Sequence, residues 1–352
     1  MKKIITIIVP TYNMEQYLSL CLNSLIVKDD LIQRIEVIVI NDGSTDNSLS
    51  IANIFAQKHP TIFRIIDKEN GNYGSCINVG LKEANGKYIK ILDADDSFDT
   101  SEFEKLIRIL LHETADLILT DFCIVNKRMR QIKKEVLPIK TCPNNTLTFD
   151  QITNLAYNMA MHRVTYRTDI LRQINYQQSE GISYTDTEWI FLPFSNIKTI
   201  KYYKLIVYKY LIGRNEQTID EDIHIKRMNE EEIGVLKNIE QISTIPTENE
   251  AYEYLKRRIF QRIRTIYHAT LAVPQNNMFN LKDFEDKLIK THFDFWHYTN
   301  NLSINCILFK YHLIRHWRKT YNQTKLQKTL KYRIYHIIRQ LHKTYIRILL
   351  SI

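Results

Sequence analysis

The stretch GKYIKILDADDSF, residues 86–98, sets three carboxylates, Asp93, Asp95 and Asp96, within four positions at the end of an apolar run. Like charges packed this closely are costly unless something positive meets them. A hard divalent cation suits them, because Mg²⁺ or Mn²⁺ takes oxygen ligands from one or two carboxylates together with substrate phosphates. Residues i and i+2 at an extended strand end project to one side, so Asp93 and Asp95 can face one ligand. A cation held there would bridge a diphosphate and stabilise the charge that builds as it leaves. Asp96 has a blander reading, as the start of the following turn or cap.

Such a pair works only if regular elements hold it. IITIIVP (4–10), IEVIVIND (35–42), FRIID (63–67) and KYIKILD (87–93) read as buried strands. Between them, MEQYLSLCLNSLI (14–26), DNSLSIANIFAQ (46–57) and YGSCINVGLKEA (73–84) show helical spacing. SEFEKLIRILLHE (101–113), with Ser101 as its cap, and the strand ADLILTDF follow. Continuous apolar strands alternating with helices predict an α/β fold, a mostly parallel sheet flanked by helices. Ligands of such sheets bind at the carboxyl ends of the strands. Those ends read PTYN, NDGSTD and DADD, and their polar and acidic residues form one candidate site. No GxxxxGK(S/T) loop, no GxGxxG after the first strand and no GxSxG elbow is present, so the phosphates are held in another way.

Length and composition fit this picture. The 352 residues, 44% apolar and 25% charged, suit one large domain with an appendage, or two domains. Five widely spaced cysteines, Cys21, Cys76, Cys123, Cys142 and Cys306, form no metal-ligand pattern and read as reduced thiols of a cytosolic protein. The N-terminal apolar run is cut by Pro10 and reads as a strand rather than a signal peptide, and no run is long enough to span a membrane. Charge is uneven. Residues 295–352 contain eleven Lys and Arg and no acid, so the net +9 divides into +11 there and −2 over residues 1–294.

Four ordered stretches, IIVPTYNMEQYLSLCLNSL, EVIVINDGSTDNS, ENGNYGSCINVGLKEANGKYIKILDADD and YTDTEWI, together resemble family 2 glycosyltransferases of the GT-A fold, over about residues 4–215. The resemblance implies a Rossmann-like nucleotide-sugar-binding catalytic domain over residues 1–215 and a helical C-terminal domain over 216–352. It implies a UDP-sugar donor and a divalent metal, Mn²⁺ or Mg²⁺. It puts Pro10, Thr11 and Tyr12 against the uracil, with Tyr12 stacking, and Asn13 and Glu15 beside the nucleotide. Asp42 matches the aspartate that bonds the base. Asn70 and Gly71 open a loop along the ribose and sugar, and Asn78 falls in the family's RNxG pattern, here INVG. Asp93, Ala94 and Asp95 match the DxD, with Asp95 as the direct metal ligand and Asp93 turned to the ribose and sugar. Asp186 matches the catalytic base. Two positions depart from the pattern. Ile77 stands where Arg or Lys is usual, so another cation must serve the phosphates. Thr185 stands where Glu is usual.

The chemistry agrees with that assignment. Transfer with inversion needs one carboxylate to take the proton of the attacking hydroxyl. Asp186 alone reads as well as an N-cap. Glu188 competes with it but should point elsewhere, and Trp189 reads as core. Arg214, in YLIGRNEQTI, is a candidate contact to the pyrophosphate in place of the cation missing at Ile77. His292, His297, His312, His316 and His336 read as surface or partly buried.

Residues 303–350 alternate apolar and basic positions with helical spacing, the pattern of a helix on an anionic membrane surface. Homo-oligomerisation and a helical region whose basic face is merely solvated are the other readings, and nucleic acid is not expected. The expected protein is an inverting, hexosyl- or N-acetylhexosaminyl-transferring enzyme of polysaccharide or glycoprotein assembly, cytoplasmic or peripheral at the inner membrane face. Its acceptor is a glycan, a lipid-linked carrier or a protein-linked glycan. A nucleotidyltransferase and a non-catalytic nucleotide-sugar binder are the alternatives.

Overall fold

The computed structural model describes residues 2–140, 142–214, 221–271, 279–301, 304–305, 310–321 and 323–351. Two compact units result. The first comprises Met1–Ile212 with Glu248–Tyr254, the second Gly213–Thr247 with Leu255–Ile352.

The first unit is built on one ten-stranded sheet among the described residues. Its strands are β1 (Ile5–Thr11), β2 (Ile35–Asp42), β3 (Phe63–Lys68), β4 (Tyr88–Ile91), β5 (Ser97–Phe98), β6 (Leu117–Val125), β7 (Gln131–Glu135), β8 (Thr146–Leu147), β9 (Val164–Arg167) and β10 (Ile200–Leu211). The order β3-β2-β1-β4-β9-β6-β10-β5 is parallel through its first four strands. β9 then runs antiparallel to both β4 and β6, while β10 is parallel to β6. Every residue of β1 and β2 is buried, as expected of strands covered on both faces. The chain leaves β1 toward β2 and β3 on one side and returns to β4 on the other. β1 is therefore the switch point at which such sheets bind ligands.

The helices of this unit are α1 (Leu18–Asn23), α2 (Asp29–Ile32), α3 (Ser48–Lys58), α4 (Asn72–Glu83), α5 (Thr100–Leu110), α6 (Phe149–Asn154), α7 (Thr168–Gln173) and α8 (Asp186–Trp189). α1 is shorter than its spacing predicts. The N–H groups of Asn13, Met14 and Glu15 bond to the side chains of Ser44, Ser48 and Asp46, so this segment is spent on the neighbouring loop. The cap of α5 is Asp99, whose carboxylate accepts from the Glu102 N–H; Ser101 lies inside the helix and bonds to Asp99 instead. Residues 200–211 form one strand, with register shifts against β6.

The second unit is helical: α9 (Glu221–Lys226), α10 (Met228–Ser243), α11 (Tyr252–Leu271, entering from the first unit), α12 (Leu281–Thr291), α13 (Phe293–Thr299), α14 (Leu313–Arg318), α15 (Gln323–Gln327) and α16 (Leu330–Ser351). One departure from the expected all-helical pattern is a two-stranded antiparallel pair, β11 (Ile304–Asn305) and β12 (Lys310–Tyr311). Asn300, Asn301 and Ser303 precede it in the sequence, and such residues favour turns over helix. The unit's interior holds a carboxylate. Glu285 is fully buried and accepts from Arg318 Nε at 2.6 Å, Trp296 Nε1 at 3.1 Å and the hydroxyls of Tyr267 and Tyr321. A buried charge persists when paired and bonded in this way. No helix among the described residues is long and apolar enough to cross a membrane.

Candidate active site

The carboxyl ends of β1, β2 and β4 lie side by side because these strands are parallel and in register, Thr11 beside Asn41 and Ile8 beside Ile91. Pro10 and Thr11 end β1 and Tyr12 follows it; Thr11 is buried, whereas Tyr12 is 48% exposed. The loops after β1 and β2 are stitched together. Asn13, in the left-handed region (φ 52°), accepts from the Thr45 N–H at 2.8 Å, and Glu15 accepts from the Asn47 N–H and Nδ2. Asn13 and Glu15 thus shape the loop walls.

Asp42 ends β2 and is buried. Its Oδ1 accepts from Lys68 Nζ and the Gly71 N–H, and Asn70 Nδ2 donates to its main-chain oxygen at 2.9 Å. Asn70 and Gly71 therefore wrap the β2 end. Gly43, at φ +70°, lets the chain turn there, and a Cβ on it would crowd the Asn70 N–H at 3.1 Å.

Past β4, Asp93, Ala94, Asp95 and Asp96 close a tight turn in which the Asp96 N–H bonds to the Asp93 oxygen at 2.9 Å. Asp95 and Asp96 are both buried. The sequence reading of Asp96 as a turn or cap residue is incomplete. Its carboxylate accepts from the Tyr208 hydroxyl at 2.6 Å and the Leu211 N–H at 2.7 Å, tying β10 to the strand end. Burial and the charges of Asp95 and Asp93 push its carboxyl well above the usual range. The Tyr208 oxygen also accepts from the Asp93 N–H at 3.1 Å. From α4, the Tyr73 hydroxyl donates to Asp93 Oδ1 at 2.8 Å.

Asp186 is the first residue of α8, behind the buried Thr185 and Tyr184, which is held at φ 61°. Burial, then Asp93, then Asp186 raise the Tyr73 phenol well above its ordinary value. Tyr210 is raised by burial and by Asp96, Asp93, Asp95 and Asp186 together. Asp186 and the strand-end acids thus act on the same two phenols, although about ninety residues of chain separate them. Asn78 positions the loop that leads to Asp186. Its Nδ2 donates to the Gln178 oxygen at 2.9 Å and to Glu180 Oε1 at 2.8 Å, and its Oδ1 accepts from the Gln178 N–H. Gly74 makes room for this loop, since a Cβ there would lie 1.8 Å from the Ser179 oxygen. Glu188 is buried and accepts from the Ser179 N–H, consistent with its pointing away from the role of base, and Trp189 is core beside Tyr166 and Tyr176.

The sequence reading missed Tyr73, Tyr208, Tyr210, Lys90 and His162. Lys90 is buried in β4, donates to the His162 and Val164 oxygens, and is lowered to about 7 by burial and Arg163. His162 is lowered to about 3 by burial, Lys90 and Arg163, and so is neutral. Alternation along IVYKYL hints that Tyr208 and Tyr210 share a face; no local pattern marks His162. Asp93, Asp96 and His162 bring ligand atoms within 4.8 Å of one another, a donor set that fits a divalent cation. Arg214 belongs to the second unit, and residues 215–220 of its stretch, like Cys306, lie outside the described residues.

Residues 6–174 match the model of Glycosyl transferase family 2. An uncharacterised glycosyltransferase of Mycoplasma pneumoniae is 35% identical over 136 residues, 38% of this chain and 44% of that protein, so the chain spans less than half of this relative. The uncharacterised glycosyltransferase EpsJ of Bacillus subtilis is 25% identical over 76% of this chain and 71% of its own length. Among solved structures, S. aureus TarS 1–349 in complex with UDP-GlcNAc superposes with a TM-score of 0.64 at 21% identity, covering 83% of this chain and 80% of TarS 1–349. That likeness shows the GT-A-like fold.

Proposed function

From a chain whose residues 6–174 match the model of Glycosyl transferase family 2, we propose an inverting glycosyltransferase that moves a sugar from a UDP-sugar to a hydroxyl of a glycan, lipid-linked or protein-linked acceptor. The observation that carries the reading is the convergence of Asp186 and the strand-end acids on Tyr73 and Tyr210. The donor complex of TarS, with UDP-GlcNAc, supports the choice of a UDP-sugar.

In this reading Tyr12 stacks on the uracil and Asp42 accepts from its N–H through the carboxylate oxygen not held by Lys68 and Gly71. Asn70, Gly71 and Ala94 line the ribose and sugar, while Asn13, Glu15 and Asn78 hold the surrounding loops. Asp186 takes the proton of the acceptor hydroxyl as its oxygen bonds to the anomeric carbon. The anomeric C–O bond breaks, and its electron pair leaves with UDP. Asp93 and Asp95 would hold a divalent cation, Mn²⁺ or Mg²⁺, whose charge would neutralise the diphosphate, so that no second acid would be needed. Arg214 is the proposed further cation at the diphosphate. The basic C-terminal segment is proposed to rest on an anionic membrane surface at its inner face.

A panel of nucleotide sugars with Mn²⁺, reading released UDP with and without a glycan acceptor, tests this. UDP release from one UDP-sugar, abolished by EDTA, is expected. Binding without release would instead mark a non-catalytic binder, and pyrophosphate exchange a nucleotidyltransferase.

A further inference from the structure

Asp93, Asp96 and His162 come from two segments far apart in the chain, and no sequence motif joins them. The His162 ring is held by aromatic neighbours, with centroids 5.0 Å from Phe122, 4.6 Å from Tyr208 and 4.5 Å from Tyr210. Its main chain is anchored, because its carbonyl accepts from Lys90 Nζ at 2.7 Å. Its buried Nδ1 nevertheless has no hydrogen-bond partner. A buried imidazole kept for packing would normally use that nitrogen. The acids opposite are equally fixed. Tyr208 bonds to Asp96 through its hydroxyl and to the Asp93 N–H through its oxygen, and Tyr73 holds Asp93. Each Asp96 oxygen takes one hydrogen bond, from Tyr208 and from the Leu211 N–H, and keeps a second lone pair.

We infer that His162 is a nitrogen ligand of the divalent cation held at the strand-end acids, with Asp93 and Asp96 the carboxylates closest to it. The inference rests on the cation-assisted transfer proposed above and deepens it. A neutral imidazole is a poor partner for Mg²⁺ or Ca²⁺, which take oxygen, and a good one for Mn²⁺, Co²⁺ or Zn²⁺. The site therefore selects transition metals over Mg²⁺.

The test titrates Mn²⁺ into the full chain and follows it by electron paramagnetic resonance, with pulsed measurements reading coupling to ¹⁴N. The wild type is expected to show a directly bound nitrogen, and Mg²⁺ to displace Mn²⁺ only at ~10-fold excess or more. His162→Gln, or His162→Asn should the first variant not fold, is expected to lose the coupling and to weaken Mn²⁺ binding ~10-fold or more. A wild-type spectrum without nitrogen, or coupling retained in a folded variant, overturns the assignment. UDP release measured on the same preparation separates the two readings. Mn²⁺-stimulated release without nitrogen coupling sinks the histidine ligand and leaves the transferase standing. Coupling without release under any donor does the reverse.

Discussion

In the transfer proposed above, Asp186 and Asp93 have opposite duties with the same chemical group: Asp186 takes a proton from the acceptor, and Asp93 stays charged opposite the diphosphate. Tyr73 donates to Asp93 and lies in the field of both. Asp186→Asn keeps the shape of the side chain and removes its basicity. Turnover is expected to fall ~10²- to 10⁴-fold while UDP affinity, read by calorimetry, stays within a factor of about two. Turnover near wild type would remove Asp186 from the role of base. The acids were readable in sequence because each stands at an element boundary. Tyr73 and His162 were not, since their partners lie 20 residues away or more and across different elements.

At the scale of elements, the loop 178–185 is set by α4. Gly74 permits contact with the Ser179 oxygen, and Asn78 bonds the same loop at three points. Gly74→Ala should push the loop off and shift Asp186. A displacement near 1 Å costs on the order of 100-fold in transfer, with UDP binding much less affected. Equal losses in both would show a general unfolding instead. In α11, burial, with Arg264 adding to it, lowers His268 to about 4 from 6.5. Its folded value is below its unfolded one, so the unfolded chain alone takes up a proton between those limits. Stability is full above about pH 6.5 and falls as pH drops toward 4, by at most about 3 kcal/mol from this group. In urea melts at about pH 7.5 and about pH 5, His268→Leu should lose less stability between the two pH values than the wild type does. Parallel pH dependence in the two proteins would clear His268 of the effect.

At the scale of the molecule, charge and apolar exposure meet on α16. Leu330, Ile337 and Leu341 are 73%, 58% and 66% exposed and lie on one helical stripe, flanked by Lys331 and Arg333. The stripe has coiled-coil spacing. A second copy, however, would set basic flank against basic flank, because residues 295–352 hold no acid. An anionic surface suits that charge better. The full chain should cosediment with vesicles rich in anionic lipid and not with neutral ones, and should be released at about 0.5 M salt. Replacing Leu330, Ile337 and Leu341 with Gln should weaken that binding ~10-fold or more. Equal binding to neutral vesicles would defeat the electrostatic account.

Sequence alone was enough for the alternation of strands and helices, the strand-end acids, the family resemblance and the basic tail. These are local: each depends on period, on residue type at a boundary, or on a count of charges. Tertiary structure alone decided which side chains meet. It put Asp96 on Tyr208 rather than in a cap, gave Glu15 and Asn78 loops to hold, brought Asp186 and the strand-end acids within electrostatic reach of Tyr210, and set His162 near Asp93. The reason is physical. A burial period constrains one face of one element, whereas contacts between elements follow from strand order and from how closely backbones can approach, and neither is written in a short window of residues.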